Sequence, residues 1–244
     1  MTTLLYDSTF EGLMTAVFEV FEYKYDVVEI VAQQNYSQEN FFAETHEVIT
    51  DFTKSDRVLK KLEENLGKQG ISQLMMVYFS ERKDLERLIL SAVWHSIKHP
   101  KQNILQDFGN EDILEISKIC RSVSRERHRM LAFVRFELLQ DEVYFAKIEP
   151  DFNVLPLIRK HFKERYADQK WMIFDLKRHY GIFYDLKEVQ FFTPDSSQLQ
   201  NFRNSEQFHH EEEKKYQKLW QRYFVKTGIP ERKNMKLHIQ WVPK

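Results

Sequence analysis

The stretch from Val123 to Asp151 constrains the fold of this chain most strongly, because its character changes twice within a short length. It begins as a basic segment, VSRERHRM. Alternating apolar and polar residues follow at Ala132–Leu139 and again at Glu142–Ile148, which is the period of a half-buried strand. The polar pair Gln140-Asp141 separates the two runs. The pattern predicts a basic segment that enters a β-hairpin, followed by the turn Glu149-Pro150-Asp151.

Composition limits the class of protein. The 244 residues allow one large domain or two small ones, and 42% hydrophobic residues favour a packed core over disorder. The single cysteine, Cys120, excludes an intramolecular disulfide and a cysteine-based zinc cluster, and we expect it to be a buried, inert thiol rather than a nucleophile. The N-terminal residues lack a signal-peptide pattern, and the apolar runs are too short to span a bilayer. A cytoplasmic protein is therefore expected.

Helical and extended patterns divide the chain into two halves. In the first half, Ser8 and Glu11 have capping-box spacing for a helix that ends near Lys24. The other predicted helices are 55–67 (with Ser55 or Asp56 as the cap), Ile71–His99, Glu111–Arg129, Asn153–Tyr166 and Glu206–Lys226. Strands are predicted at Thr2–Tyr6, Val27–Ala32, Glu47–Ile49, Ala132–Leu139, Glu142–Ile148, Trp171–Leu176, Gly181–Leu186 and Glu188–Phe192.

These elements predict an α+β fold, with a helix-rich N-terminal half and an antiparallel sheet with flanking helices in the C-terminal half. The chain is interpreted as a single domain over residues 1–244. A division into two subdomains, 1–110 and 111–244, is an alternative.

Charge is unevenly distributed, although the net charge is only −1. Residues 1–66 carry 13 acidic and 5 basic side chains, whereas residues 214–244 carry 9 basic and 1 acidic side chains. The asymmetry predicts a basic face for nucleic acid or an acidic partner. Internal complementarity between the two ends of the chain is an equal alternative.

A candidate nucleic-acid surface begins on the helix before the hairpin. Arg121, Arg125 and Arg129 recur at four-residue steps, opposite an apolar stripe. Repeated cations of this kind bind phosphate backbones through counterion release, although a solvated helix face is the alternative. A second basic helix just after the hairpin carries Arg159, Lys160, Lys163 and Arg165. The predicted nucleic-acid-binding residues are Arg121, Arg125, Arg127, His128, Arg129, Lys160 and Lys163.

Candidate catalytic residues are weaker. Glu149, Asp151 and Asp175, with Lys177, have a nuclease-like spacing, because two carboxylates and a lysine serve metal-assisted phosphodiester cleavage. His128 is a further candidate base, but the sequence supplies no partner for it. Whether the chain is an enzyme therefore stays open, and we expect no metal site.

Two further patterns bear on cofactors. His209, His210 and Glu213 place metal-ligand types on one helical turn, but the sequence offers no recognisable further ligand, so a solvated helix start is favoured. The sequence has no Walker A motif, no GxGxxG motif and no CxxxCxxC motif. No cofactor site is therefore predicted.

Three sequence blocks resemble a bacterial family assigned to DNA metabolism and repair. They are Tyr6–Leu13, Val123–Glu126 with His128–Met130, and Ile148–Pro150 continuing into Val154–Leu157, with Trp220, Tyr223, Arg232 and Asn234 resembling its C-terminal block. The resemblance covers nearly the whole chain. Ser8 departs from the family, which often has Gly at that position, and relatives continue beyond Val242–Lys244 into an aromatic tail.

The resemblance implies a DNA-processing context. Members of that family usually occur beside a radical-SAM protein of DNA modification or repair, and some are fused to a uracil-DNA-glycosylase-like domain. The leading hypothesis is a DNA repair or modification protein that binds nucleic acid and acts with a radical-SAM partner. The alternatives are a metal-dependent DNA-processing enzyme that uses Glu149, Asp151 and Asp175, and a protein-interaction scaffold.

Overall fold

The chain divides into two compact units, Met1–Val123 and Ser124–Lys244. The structure is a computed structural model that describes residues 2–25, 28–36, 44–100, 102–139 and 142–194. The predicted turn at 140–141, the predicted helix at 206–226, the His209 cluster and the basic C-terminal segment lie outside these residues. Across the described residues, helix length and hydropathy do not reach what a membrane span requires.

The fold is α+β, as the sequence predicts, with its helices mostly in the N-terminal half. The helices are α1 Phe10–Glu22, α2 Phe52–Tyr78, α3 Leu85–Lys98, α4 Glu111–Phe133 and α5 Leu155–Arg165. The strands are β1 Thr2–Tyr6, β2 Val28–Ala32, β3 Glu44–Glu47, β4 Glu137–Leu138, β5 Tyr144–Ile148, β6 Trp171–Asp175, β7 Tyr180–Tyr184 and β8 Val189–Phe192.

The first unit combines a small parallel sheet with helices. Its strand order is β2-β1-β3, and both pairings of β1 are parallel. α2 is broken at Gly67, whose φ is 69°, so the predicted helix end at this glycine is confirmed. The predicted helix Ile71–His99 is interrupted between Phe79 and Asp84, where the chain turns before α3.

Both predicted N-caps in the first unit are wrong. Thr9, not Ser8, caps α1, because its Oγ1 accepts a hydrogen bond from the N–H of Gly12 at 2.9 Å. Ser8 instead has a φ of 64°, a left-handed conformation that glycine adopts at little cost. Asp51 caps α2 by accepting from the N–H groups of Thr53 and Lys54, so the helix begins three residues before Ser55.

The second unit contains a five-stranded sheet of order β4-β5-β6-β7-β8. The sheet is antiparallel as predicted except at one place, because β5 and β6 are parallel. The reason is α5, which carries the chain back to the starting edge of the sheet before β6 begins. The other three pairings are antiparallel.

The first strand of the predicted hairpin is also shorter than expected. α4 continues to Phe133, so only Glu137–Leu138 of the predicted strand Ala132–Leu139 pairs with β5. The hairpin itself is present, since the N–H of Leu139 donates to the carbonyl of Val143 at 3.0 Å.

α5 lies against one face of this sheet. Its buried residues Leu155, Ile158 and Phe162 share a core with Trp171 and Met130. Pro156 lies in the first turn of α5, where a proline costs no helical hydrogen bond, as the sequence predicts. The opposite side of α5 is therefore free to carry charged residues.

Candidate functional site

The parallel pairing of β5 with β6 brings two turns together at one edge of the sheet. Ile148 and Asp175 are partners in the register, so both strands end at the same edge of the sheet. The N–H of Leu176 donates to the carbonyl of Ile148 at 2.9 Å and extends the pairing past the strand ends. The segment from Glu149 to Phe152, called the clamped turn below, therefore lies beside the turn that follows Asp175.

Glu126 holds one side of the clamped turn. This α4 residue is 3% exposed, and its carboxylate accepts the N–H groups of Asp151 and Phe152, both at 3.0 Å. Arg129 lies one helical turn later, and its Nη2 donates to Glu126 Oε1 at 3.3 Å. A buried carboxylate is costly unless it is paired and hydrogen-bonded, and Glu126 satisfies both conditions.

Asp175 and Arg178 hold the other side. Asp175 is fully buried, and Oδ1 accepts the N–H groups of Lys177 and Arg178 at 2.9 and 3.1 Å. Its Oδ2 accepts from Arg178 Nη1 at 3.0 Å. The Arg178 guanidinium also donates to the carbonyls of Pro150 at 3.1 Å and Asp151 at 2.9 Å. Lys177 Nζ donates to the Asp151 carbonyl at 3.1 Å.

Glu126, Arg178 and Lys177 thus hold the backbone of the clamped turn from both sides. Arg129 pairs with Glu126, and Asp175 pairs with Arg178. Backbone N–H groups are held by Glu126, and backbone carbonyls by Arg178. The side chains of Glu149 and Asp151 remain exposed at this turn. The arrangement therefore holds the backbone of the clamped turn in place at the edge of the sheet.

The residues predicted to be catalytic are distributed differently from the nuclease-like expectation. Asp151 follows β5 and Asp175 is the last residue of β6, and the two strands end at the same edge. However, Asp175 is enclosed and directs both oxygens to its own turn and to Arg178. Among the described residues, no group of three His, Cys, Asp or Glu side chains is arranged to hold a metal ion. Asp175 therefore does not fit the role of a ligand shared with Glu149 and Asp151.

The cations predicted to bind nucleic acid also separate into two kinds. The side chains of Arg121, Arg125 and His128 are exposed and make no ion pair or hydrogen bond with any other described residue. Arg129 is only 19% exposed at its side chain and neutralises Glu126, so it points inward. Arg127 is half-buried, and its Nε has no hydrogen-bond partner among the described residues.

Among the described residues of the second unit, α5 presents a dense group of exposed cations. Its outward residues Arg159, Lys160 and Arg165 are exposed, and Lys163 is half-buried with its Nζ 5.9 Å from the Tyr184 ring centroid. Glu164 is the only acidic residue of this helix. These four cations are called the α5 cations below.

The α5 cations make almost no ion pairs with other described residues. Arg159, Lys163 and Arg165 make no ion pair with another described residue. Lys160 lies 3.8 Å from Glu164, but the two side chains are 86% and 68% exposed, so this pair contributes little. The sequence assigns all four to one basic helix, but only Lys160 and Lys163 are among the predicted binding residues. The signal for the other two is the same basic run, although Arg159 and Arg165 flank the buried stripe of α5, whereas Lys160 lies opposite it.

Cys120, in the first unit, is the buried thiol that the sequence predicts. It is 8% exposed, and its Sγ donates to the Gln73 carbonyl at 3.4 Å. Burial raises the pKa of this thiol to about 11. The thiolate form is therefore disfavoured at neutral pH, as expected for an inert cysteine.

Comparison with known proteins places the chain in a family. No curated protein matches it. A family model described as a domain of unknown function, DUF4130, matches residues 82–244. The matched region includes α4, the clamped turn, α5 and the whole five-stranded sheet. Since the match spans well over half of the sequence, the chain belongs to the DUF4130 family.

Proposed function

We propose that the second unit binds nucleic acid through the α5 cations, with Arg125 as a further exposed cation of the same unit. The observation that carries the proposal is a helix with four cations and one acid, of which three cations have no ion pair among the described residues. Uncommitted cations can exchange their counterions for phosphates, which is the main source of non-specific nucleic-acid affinity.

The packing of α5 against the sheet, and the hydrogen bonds of the clamped turn before it, support the same function. Buried residues of α5 share a core with β6 and with Met130 of α4. The clamp of Glu126 and Arg178 fixes the turn that leads into α5. Phosphate-binding side chains on a rigid helix lose less conformational freedom on binding than those on a mobile loop.

The biological context is also part of the proposal. The resemblance of three sequence blocks to a DNA metabolism and repair family favours DNA as the nucleic acid. It also favours a radical-SAM protein as the partner that carries the chemistry. In this proposal the chain contributes binding and positioning, and the exposed edge around the clamped turn is available to a partner.

A binding experiment with two matched variants tests the proposal. The first variant replaces Lys160, Lys163 and Arg165 by Gln. The control replaces Lys60, Lys68 and Lys98 of the first unit, which are also exposed and make no ion pair with any described residue. Fluorescence anisotropy with a labelled DNA of about 20 nucleotides at fixed salt should show a loss of affinity in the first variant of about tenfold or more, and little change in the control.

The result is interpretable only if both variants remain folded. Changes of exposed charges typically alter stability by about 0.5 kcal/mol or less each, so both variants should retain the thermal melt of the parent protein. Equal affinity of the first variant and the parent protein would overturn the proposal. Equal losses in both variants would assign the effect to total charge rather than to α5.

A further inference from the structure

Phe191 is an exposed aromatic residue at the last strand of the described sheet. Its side chain lies on β8, and the residue is 47% exposed. The Arg159 guanidinium of α5 lies over its ring, with Cζ 5.7 Å from the ring centroid. One of the α5 cations therefore shares a surface with an exposed aromatic ring.

The ring of Tyr180 packs against the ring of Phe191 and holds it in position. The Tyr180 ring on the neighbouring strand β7 lies 6.2 Å from it, centroid to centroid, with an angle of 27° between the ring planes. The Tyr180 hydroxyl donates to Asn153 Oδ1. Tyr180 is therefore fixed at both ends, and Phe191 extends an already ordered aromatic surface towards solvent.

The charged groups around this ring favour an anion with a flat apolar part. Arg159 has no ion pair with a described residue, and Lys163 follows it by one helical turn on α5. The four-residue step between them rises about 6 Å, comparable with the step between consecutive phosphates of an extended strand. An exposed ring beside regularly spaced cations is the combination by which proteins bind unpaired nucleic acid, with bases on rings and phosphates on cations.

We propose that Phe191 and Arg159 form a base-stacking site for single-stranded nucleic acid. This inference rests on the proposed function and adds the class of substrate to it. An unpaired base stacks on the exposed part of the Phe191 ring or on the planar Arg159 guanidinium, while Lys160 and Lys163 contact the adjoining phosphates. Duplex DNA offers its phosphates to the same cations, but its bases are enclosed in the helical stack and cannot reach Phe191.

The test compares three probes of about 15 nucleotides or base pairs by fluorescence anisotropy: oligo-dT, an abasic strand of the same length, and a duplex. Phe191→Leu keeps the apolar bulk but removes the ring, so it should lower the affinity for oligo-dT by about fivefold or more. Its affinity for the abasic strand and for the duplex should stay within about twofold of the parent protein. Phe191→Trp provides a larger ring and should retain or increase the affinity for oligo-dT.

A control variant and a second test variant show whether the effect comes from stacking at this site. Phe108→Leu changes another exposed aromatic residue, 54% exposed in the first unit, and should leave all three affinities unchanged. Arg159→Lys keeps the charge and loses the flat guanidinium, so it should weaken binding of oligo-dT more than binding of the abasic strand.

The outcomes distinguish this inference from the proposed function. If Phe191→Leu weakens all three probes equally, or none of them, the stacking site is wrong. If the α5 triple-glutamine variant still loses affinity in that case, the nucleic-acid surface stands without the stacking site. If the parent protein binds no probe at all, both proposals fail together.

Discussion

Removing the Glu126 carboxylate should destabilise the second unit by roughly 3–5 kcal/mol, the cost of breaking a buried ion pair. In Glu126→Ala, the N–H groups of Asp151 and Phe152 lose their acceptor. An unsatisfied donor costs about 1–3 kcal/mol when it is buried, and less at Asp151, which is exposed to water. Arg129 loses the carboxylate that it neutralises. These contributions overlap, so the total stays close to the range for the ion pair.

Glu126→Gln separates charge from hydrogen bonding. Its amide oxygen can still accept one of the two N–H groups, but its NH₂ group faces donors from the turn and from Arg129. We expect a loss of about 1–3 kcal/mol, between the parent protein and the alanine variant. The change Glu164→Ala is a matched control, because Glu164 is an exposed residue with a 68% exposed side chain.

Urea unfolding followed by circular dichroism measures these stabilities, and hydrogen exchange locates the change. Exchange of the Asp151 and Phe152 amides should accelerate in Glu126→Ala before exchange in the first unit changes. A double-mutant cycle with Arg129→Met should give a coupling energy of about 1–3 kcal/mol. A loss below about 0.5 kcal/mol in Glu126→Ala, typical of an exposed site, would refute the clamp.

Three further predictions test other parts of the structure. Asp175→Asn should cost about 2–4 kcal/mol, because it removes the charge from the buried pair with Arg178. Asp185 caps a similar Asp-Leu-Lys turn at a more exposed position, so Asp185→Asn should lower the free energy of unfolding clearly less than Asp175→Asn. Equal losses of stability for the two variants in urea unfolding would contradict this. Ser8→Gly should stabilise the first unit by about 0.5–1 kcal/mol, because the φ of 64° at Ser8 strains a residue with a side chain. The control Ser72→Gly, within α2, should destabilise the unit. A lower melting temperature for Ser8→Gly would refute backbone strain at Ser8. The Cys120 thiol ionises at lower pH in the unfolded protein than in the folded protein, because burial raises its pKa to about 11. Its contribution to the free energy of unfolding should be fully present below about pH 9 and should fall by about 2–3 kcal/mol as the pH rises to about 11. Cys120→Ala should remove this fall, and an unchanged pH profile in that variant would count against a buried thiol.

Sequence patterns identify the elements from β5 to β8 well because their apolar periodicity is local. The strands at Trp171, Gly181 and Glu188 and the helix after Asn153 all appear within about two residues of the predicted bounds. Strand direction is not local. The strand–helix–strand order around α5 is typical of a parallel crossover, and this clue outweighs the alternation that suggested an antiparallel sheet.

The candidate site is predictable only in part for the same reason. A helical wheel places Arg121, Arg125 and Arg129 on one face, but it cannot show that Glu126 is buried and requires Arg129 as its partner. Likewise, the sequence spacing suggests that Asp151 and Asp175 act together, but it cannot show that the Asp175 carboxylate is paired with Arg178. The α5 cations are more accessible to prediction because an exposed helix face follows directly from the positions of its buried residues.

The salt dependence of DNA binding tests the central claim most directly. The logarithm of the affinity of the parent protein for oligo-dT should fall linearly with the logarithm of salt concentration. The slope should flatten by roughly 0.7 for each phosphate that no longer meets a cation, hence by about 2 in the variant with Lys160, Lys163 and Arg165 replaced by Gln. A slope in that variant equal to that of the parent protein would contradict a nucleic-acid surface on α5.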